Sequence, residues 1–332
     1  MSILRSSRQW PRATLRHLLL AVAITGCMTP VARATNFTTI DVLNGGETLA
    51  QGISGNLVVG YDDNGEGFVY NQQTKGFTFL HDPLAATSGN FSSYGTQAIG
   101  ISDNMIVGDY YDQSGIVHGF KFDGSTYTTI DNPSANKTIS YQGTRGVGVS
   151  GATIYGQYND SIGFGAFLLN GSTFSDFTYP GAPGGTFVTG ISGNVTVGWY
   201  EEGQTIQGFV YNGSSFSTLA DPFAAAAPVG QGQTFVTGIS GQYIVGYYST
   251  DDGGTHHGFV YDGSKFTTID DPLGDNDTRI WGVSGNQIVG TYVHEGYNGF
   301  VATIPEPSTL VFGFVGVAIL GLASLRKKYR RA

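Results

Sequence analysis

The chain is 332 residues long yet contains one cysteine, three methionines and only 16 basic residues. Each scarcity excludes something. With Cys27 alone, no internal disulfide is available, so a folded domain here must be held by its own core. Ten of the 16 Lys and Arg lie outside residues 35–304, which keep only Lys75, Lys121, Lys137, Arg145, Lys265 and Arg279. Against those six stand 24 acidic residues, a formal charge of −18 where the whole chain shows −9. Such a surface disfavours nucleic acid and anionic lipid and attracts cations. Sustained helical periodicity is missing between the termini. There is no Gly-x-Ser-x-Gly nucleophile elbow, and no spaced His or Cys set reads as a zinc site. Glycine is the opposite case, at 51 residues; alone this suggests disorder, but 13% aromatic content argues for packed β structure.

The glycines are periodic. One closes an apolar strand at Gly60, Gly108, Gly156, Gly198, Gly246 and Gly290, at spacings of 48, 48, 42, 48 and 44 residues. Tyrosine follows two residues later at Tyr110, Tyr158, Tyr200, Tyr248 and Tyr292, whereas the first repeat slips to Tyr61-Asp62. Before each glycine strand comes another that runs into a short turn, as at Gly52-Ile-Ser-Gly-Asn56 and Gly190-Ile-Ser-Gly-Asn194. After it come a polar loop and a strand such as Gly67-Phe-Val-Tyr70 or Gly258-Phe-Val-Tyr261. An Asp/Asn-Gly-Ser turn then leads into Tyr127-Thr-Thr-Ile130, Phe216-Ser-Thr-Leu219 or Phe266-Thr-Thr-Ile269. Four short β-rich strands separated by turn signals form a meander of hairpins. Four strands per repeat of about 45 residues match a propeller blade. The ends support a closed ring. Phe37-Thr-Thr-Ile40 is a fourth-type strand before any complete blade, and Gly299-Phe-Val-Ala-Thr303 is a third-type strand with no fourth after it. The N-terminal strand fills that vacancy and covers an open edge. The expectation is an all-β, six-bladed β-propeller over 35–304, one domain closed by its N-terminal strand. A stacked β-solenoid is the rival.

Arg5, Arg8, Arg12 and Arg16 precede the apolar run 18–27, and Ala32-Arg33-Ala34 is a small-x-small cleavage site. Residues 1–34 are therefore expected to be a secretory signal peptide. Ile24-Thr25-Gly26-Cys27 also reads as a lipobox in which Cys27 becomes the lipidated first residue. At the other end stand Pro305, Glu306 and Pro307, the apolar run 310–325, and five basic residues between Arg326 and Arg331. The run is short of the roughly 20 residues that span a bilayer comfortably. The basic tail after it holds that end cytoplasmic, and the prolines keep Pro-Glu-Pro extended outside. An ordinary single-pass anchor would share these traits. Residues 304–332 resemble the PEP-CTERM sorting signal of Gram-negative bacteria. The resemblance implies a C-terminal transmembrane helix over 310–325 within a sorting segment 305–332. It also implies recognition by an exosortase at the inner membrane, and release or re-anchoring at the cell surface or in the extracellular matrix.

The repeat itself, over roughly residues 37–303, resembles the extracellular bacterial HAF repeats, whose units carry a His-Ala-Phe. His118-Gly-Phe120 and His257-Gly-Phe259 come nearest, and Gly165-Ala-Phe167 keeps the alanine. That resemblance implies an extracellular repeat protein and brings no activity with it.

The long connections, between second and third strands and between blades, emerge on one face of a propeller, and binding residues favour such loops. Those after Gly-x-Tyr are acidic: Asp62 and Asp63, Asp112, Asp160, Glu201 and Glu202, Asp251 and Asp252, and His294 with Glu295. Converging on one mouth they would suit Ca2+ or a sugar; as solvated turns they would suit nothing. No cofactor motif is present otherwise. Asp275-Asn276-Asp277 alternates oxygen ligands but lacks the EF-hand glycine and terminal glutamate. Asp82-Pro83, Asn132-Pro133, Asp221-Pro222 and Asp271-Pro272 recur after the fourth strand, a scaffold position where proline ends the ladder and the side chain caps a turn. His257 occupies the position of His118, leaving His256 as the freer histidine. Trp199 and Trp281 depart from the repeat, either as core or as platforms for sugar stacking. The sequence thus points to an exported, non-enzymatic binding or scaffolding protein of the surface or exopolysaccharide matrix. A polysaccharide hydrolase or lyase and a purely structural envelope protein are the alternatives.

Overall fold

A computed structural model describes residues 35–42, 46–87, 95–160, 163–182, 185–228, 230–251 and 254–304. The signal peptide expected over 1–34 with Cys27, the residue Asp252, the motif Pro305, Glu306 and Pro307, and the helix expected over 310–325 lie outside these residues. Among the described residues no helix is long and apolar enough to cross a membrane.

The chain opens with β1 (Thr35–Ile40). Blade one is β2 (Thr48–Ser54), β3 (Leu57–Asp62), β4 (Gly67–Asn71) and β5 (Gly76–Leu80); blade two is β6 (Thr96–Ser102), β7 (Met105–Tyr111), β8 (Val117–Phe122) and β9 (Tyr127–Ile130). Blade three is β10 (Thr144–Ser150), β11 (Thr153–Asn159), β12 (Phe164–Asn170) and β13 (Thr173–Phe177). Blade four is β14 (Thr186–Ser192), β15 (Val195–Glu202), β16 (Thr205–Tyr211) and β17 (Phe216–Leu219). Blade five is β18 (Gln233–Ser240), β19 (Tyr243–Ser249), β20 (His257–Tyr261) and β21 (Phe266–Ile269). Blade six is β22 (Thr278–Ser284), β23 (Gln287–Val293) and β24 (Tyr297–Thr303), and its fourth strand is β1, antiparallel to β24. The first strands contact one another around the ring, including β2 against β22. This is a six-bladed β-propeller closed by its N-terminal strand. The sequence predicts no helix between the termini, and one turn does occur, α1 (Pro222–Ala225). Asp221 caps it and proline opens it, which lets the chain turn between blades.

Three contacts recur from blade to blade and explain the repeat. The repeat glycines lie within the second strands rather than closing them, and pair across to phenylalanines of the third strand: Gly60–Phe68, Gly108–Phe120, Gly156–Phe167, Gly198–Phe209, Gly246–Phe259 and Gly290–Phe300. All six phenylalanines are fully buried. A Cβ on any of these glycines would collide with a carbonyl oxygen of the first strand and crowd the ring, so no larger residue fits.

The Gly-x-Tyr hydroxyls then reach the fourth strand, Tyr110 to Thr129, Tyr158 to Asp176, Tyr200 to Thr218 and Tyr248 to Thr268. In blade six Tyr292 reaches Thr39 of β1 at 3.2 Å, the same contact made across the closure. The third contact joins blades. Thr48, Thr96, Thr144, Thr186, Thr234 and Thr278, each buried at the start of a first strand, accept an N–H from the preceding inter-blade linker at 2.7–3.2 Å. In four linkers that donor is Asp82, Asn132, Asp221 or Asp271, whose side chain caps the N–H two residues on at 2.8–2.9 Å. The Asp-Pro ring is therefore scaffold, and burial pushes Asp82, Asp221 and Asp271 above the usual carboxylate range.

Candidate functional site

Every first strand carries an irregularity at the same place. Register shifts between Ala50 and Gly52, Ala98 and Gly100, Gly146 and Gly148, Val188 and Gly190, Val236 and Gly238, and Ile280 and Gly282. The inserted residues are Gln51, Ile99, Val147, Thr189, Thr237 and Trp281, and a bulge re-aims the side chain it inserts. All six line one cavity of about 400 Å³ on the axis of the ring. The glycine after each bulge allows bare backbones to close around it. A Cβ on Gly52 would sit 2.7 Å from the Ile99 carbonyl oxygen, and one on Gly100 would sit 2.6 Å from the Gly148 Cα.

Among the described residues the cavity wall is uncharged, with no Asp, Glu, Lys, Arg or His contributing to it. Below the bulges, Ile101, Val149, Ile191, Ile239 and Val283 make an apolar collar. Blades four to six supply an aromatic arc. Trp199 stacks on Phe187 at 3.6 Å and meets Phe235 edge-on; Phe235 stacks on Tyr247 at 4.6 Å, and Tyr247 meets Trp281 edge-on at 5.2 Å. The Trp281 indole N–H donates to Thr291 Oγ1 at 3.0 Å, and no described aromatic ring stacks on its face.

Some polar groups on the wall are used. The Thr189 and Thr237 hydroxyls donate to the carbonyls of Val236 and Ile280 in the next blade, at 2.8 and 2.7 Å. Others are not. The amides of Gln51 and Gln157, the Trp199 indole N–H and the hydroxyls of Tyr155 and Tyr247 make no hydrogen bond to any described residue. Tyr155 and Tyr247 are each 8% exposed, and burial pushes both phenols well above their ordinary value.

Two ion pairs flank this region, and in one of them the Asp109 Oδ1 is buried without a hydrogen-bond partner. Arg145 donates to Asp109 at 3.1 Å and to the Tyr111 hydroxyl at 3.0 Å, and the Asp109 carboxylate keeps the guanidinium charged. Arg279 holds Asp277 through two bonds of 3.0 and 2.9 Å and lies over the Tyr247 ring. Burial would raise Asp277, but hydrogen bonds from His256 and Arg279 outweigh it and hold the carboxyl low.

No family model matches the chain, and no curated protein matches it. The solved structures it resembles include β-propellers. The β-propeller domain of the Trilobed protease from Pyrococcus furiosus is 8% identical over 81% of this chain and 98% of that one, with a TM-score of 0.47. Aleuria aurantia lectin in complex with α-methyl-L-fucoside is 15% identical over 82% and 99%, with a TM-score of 0.45. Pyrococcus horikoshii acylaminoacyl peptidase is 9% identical over 81% of this chain and 46% of that one, with a TM-score of 0.44. These are likenesses of fold.

The acidic loop residues occupy separate blades, and most of them serve their own turns. Asp62 is buried, and its Oδ1 accepts from the N–H groups of Asn64 and Glu66 at 2.9 and 2.8 Å; exposed Asp63 accepts from the Asn64 amide. Asp112 accepts from Ser114 and Ile116, Asp160 from Gly163, and Asp251 from Ser249, Gly254 and Thr255. Glu201 and Glu202 end β15 rather than standing in a loop. His256 pairs with Asp277 at 3.1 Å, exposed His294 pairs with Asp275 at 3.1 Å, and Glu295 sits in the turn with φ 54°. His118 and His257 bond Asp131 and Asp270 at 2.9 and 3.0 Å, which raises both imidazoles. Among the described residues no three His, Cys, Asp or Glu side chains are grouped so as to hold a metal. Sequence reasoning alone does not mark Tyr155, Tyr247, Gln51 or Gln157 as site residues. The available signal is departure from the repeat, since Tyr155 stands where other blades have Val59, Val107, Val197, Val245 and Val289.

Proposed function

We propose that this chain is an exported propeller that binds without catalysing, delivered to the cell surface or exopolysaccharide matrix. In this reading residues 1–34 direct export, the segment 310–325 holds the precursor in the inner membrane, and an exosortase processes the chain at Pro305, Glu306 and Pro307. The observation that carries the binding role is the axial cavity. It draws residues from all six blades, is lined by aromatic and uncharged polar groups, and includes no carboxylate pair or carboxylate–imidazole pair of the kind that acid–base hydrolysis needs. The titratable side chains outside it are largely engaged as turn caps and local ion pairs. Uncharged, aromatic and enclosed is the chemistry of a pocket that holds a ligand.

The test follows an epitope-tagged chain in a host with and without its exosortase. The expected result is a shorter, surface- or matrix-associated species only when the exosortase is present and Pro305-Glu306-Pro307 is intact. A chain that stays at full length in the inner membrane in both hosts would overturn the sorting reading. Turnover of matrix polysaccharide by the purified chain would overturn the non-catalytic one.

A further inference from the structure

We infer that the axial cavity is a site for the ring of one neutral sugar, presented as a free glycoside or as a terminal unit of a polysaccharide. This rests on the binding role above and gives it a place and a ligand class. Binding elsewhere on the propeller would leave that role standing and remove only the site.

Three properties of the wall select the class. The first is size: about 400 Å³ is near the lower end of the roughly 300–1,000 Å³ common for small-ligand pockets. The second is the pattern of unused hydrogen-bonding groups. Two amides that both donate and accept, two buried phenols that do the same, and one indole donor face a space with no protein partner. Buried side chains normally pair their polar groups, and the Tyr155 and Tyr247 phenols, open to the cavity beside the half-buried Gln51, Gln157 and Trp199, indicate an occupant rich in hydroxyls. An apolar occupant would leave them all unpaired, at a cost for each. The third is charge. A charged ligand would lose its hydration against a wall with no countercharge, because the neighbouring guanidinium groups are already held by Asp109 and Asp277. A neutral pyranose satisfies all three, with hydroxyls on its rim and a C–H face for an aromatic ring. Trp281, placed on the wall by the bulge, is the platform, and Gln51, Gln157, Tyr155 and Tyr247 share that wall with it.

The protein contains its own reporter. In the chain cleaved after Ala34 the only tryptophans are Trp199 and Trp281, both on the cavity wall. The exported full chain, purified in detergent, is titrated with the neutral methyl glycosides of glucose, galactose, mannose and fucose, and with methyl glucuronide as the charged counterpart. The expected result is a saturable change in tryptophan emission with at least one neutral glycoside and none with the glucuronide. Trp281→Ala and Gln157→Ala should each weaken that binding by about tenfold or more, roughly 1.4 kcal/mol. Trp281→Phe, which keeps an aromatic face, should retain it with Trp199 as the remaining reporter. Asp112→Asn, in a loop, should not change it. Competition by matrix polysaccharide assigns the sugar to a chain end; its failure to compete assigns a free glycoside. No saturable response, or one that Trp281→Ala and Gln157→Ala leave unchanged in chains with the unaltered thermal midpoint, would overturn the site. A response to the glucuronide equal to that of its neutral counterpart would overturn the ligand class.

Discussion

At the scale of single residues, this fold depends on where a side chain is absent. Gly198 pairs with Phe209, and a methyl group there would run into the Phe187 carbonyl, a piece of ladder backbone that has no room to move. Gly193 sits in the preceding turn of the same blade with φ 58°, and a methyl group there would meet nothing within 4 Å. Both changes to alanine are costly, but for different reasons. Gly193→Ala should cost about 1–2 kcal/mol through its left-handed backbone alone. Gly198→Ala should cost about 3 kcal/mol or more, because overpacking meets backbone. Urea unfolding of the two variants checks the order; equal losses would contradict the packing account.

A second residue-level consequence concerns pH. Hydrogen bonding to Asp131 raises His118 above the ordinary imidazole value of 6.5, with Asp112 also facing it and burial opposing. The folded chain thus binds this proton more tightly than the unfolded chain does. Its contribution to stability is fully present below the unfolded value and is lost as pH rises through the higher folded value. Asp131→Asn should therefore destabilise more in mild acid than in mild alkali, measured as the difference in thermal midpoint from the parent chain. A loss independent of pH would assign Asp131 to its Lys137 contact instead.

At the scale of elements, β1 decides whether the ring is closed. Its pairing with β24 was legible from the sequence because Phe37-Thr-Thr-Ile40 shares the pattern of the other fourth strands and the last repeat lacks one. The structure adds the Tyr292–Thr39 contact, equivalent to the tyrosine–threonine contacts inside other blades. Thr38 and Val301 are register partners across this seam. Paired strands place such Cα atoms about 4.5–5.5 Å apart, inside the range a disulfide accepts. The double variant Thr38→Cys, Val301→Cys should form a bond on oxidation and add about 2–4 kcal/mol, reversed by reductant. Failure of the two cysteines to join in the folded chain would contradict the closure.

The bulges were not legible. Gln51, Ile99, Val147, Thr189, Thr237 and Trp281 share no chemistry, and the register shift that groups them is a property of paired strands rather than of either strand alone. The loops show the converse. Asp62, Asp112, Asp160 and Asp251 read from sequence as ligands or as solvated acidic turns. What separates the two is whether N–H groups a few residues ahead curl back onto the carboxylate, and they do.

At the scale of the whole molecule, six nearly equivalent blades meet on an axis where their differences accumulate. Keeping the scaffold contacts while varying the bulge position builds a wall that is amide on one side, aromatic on the other and apolar below. Trp199 and Trp281 stood out in the sequence as departures from the repeat, and Tyr155 is another, at a position that is valine in the other five blades. The central claim is that ligand binding occurs on this axis and not at the acidic loops. Hydrogen exchange of the full chain, with and without a saturating neutral methyl glycoside, tests it most directly. The account predicts slowed exchange in β10, β14, β18 and β22 and in the second strands that carry Tyr155, Trp199 and Tyr247. Slowing confined to residues 62–66, 112–116 and 251–256, with the inner strands unchanged, would contradict it.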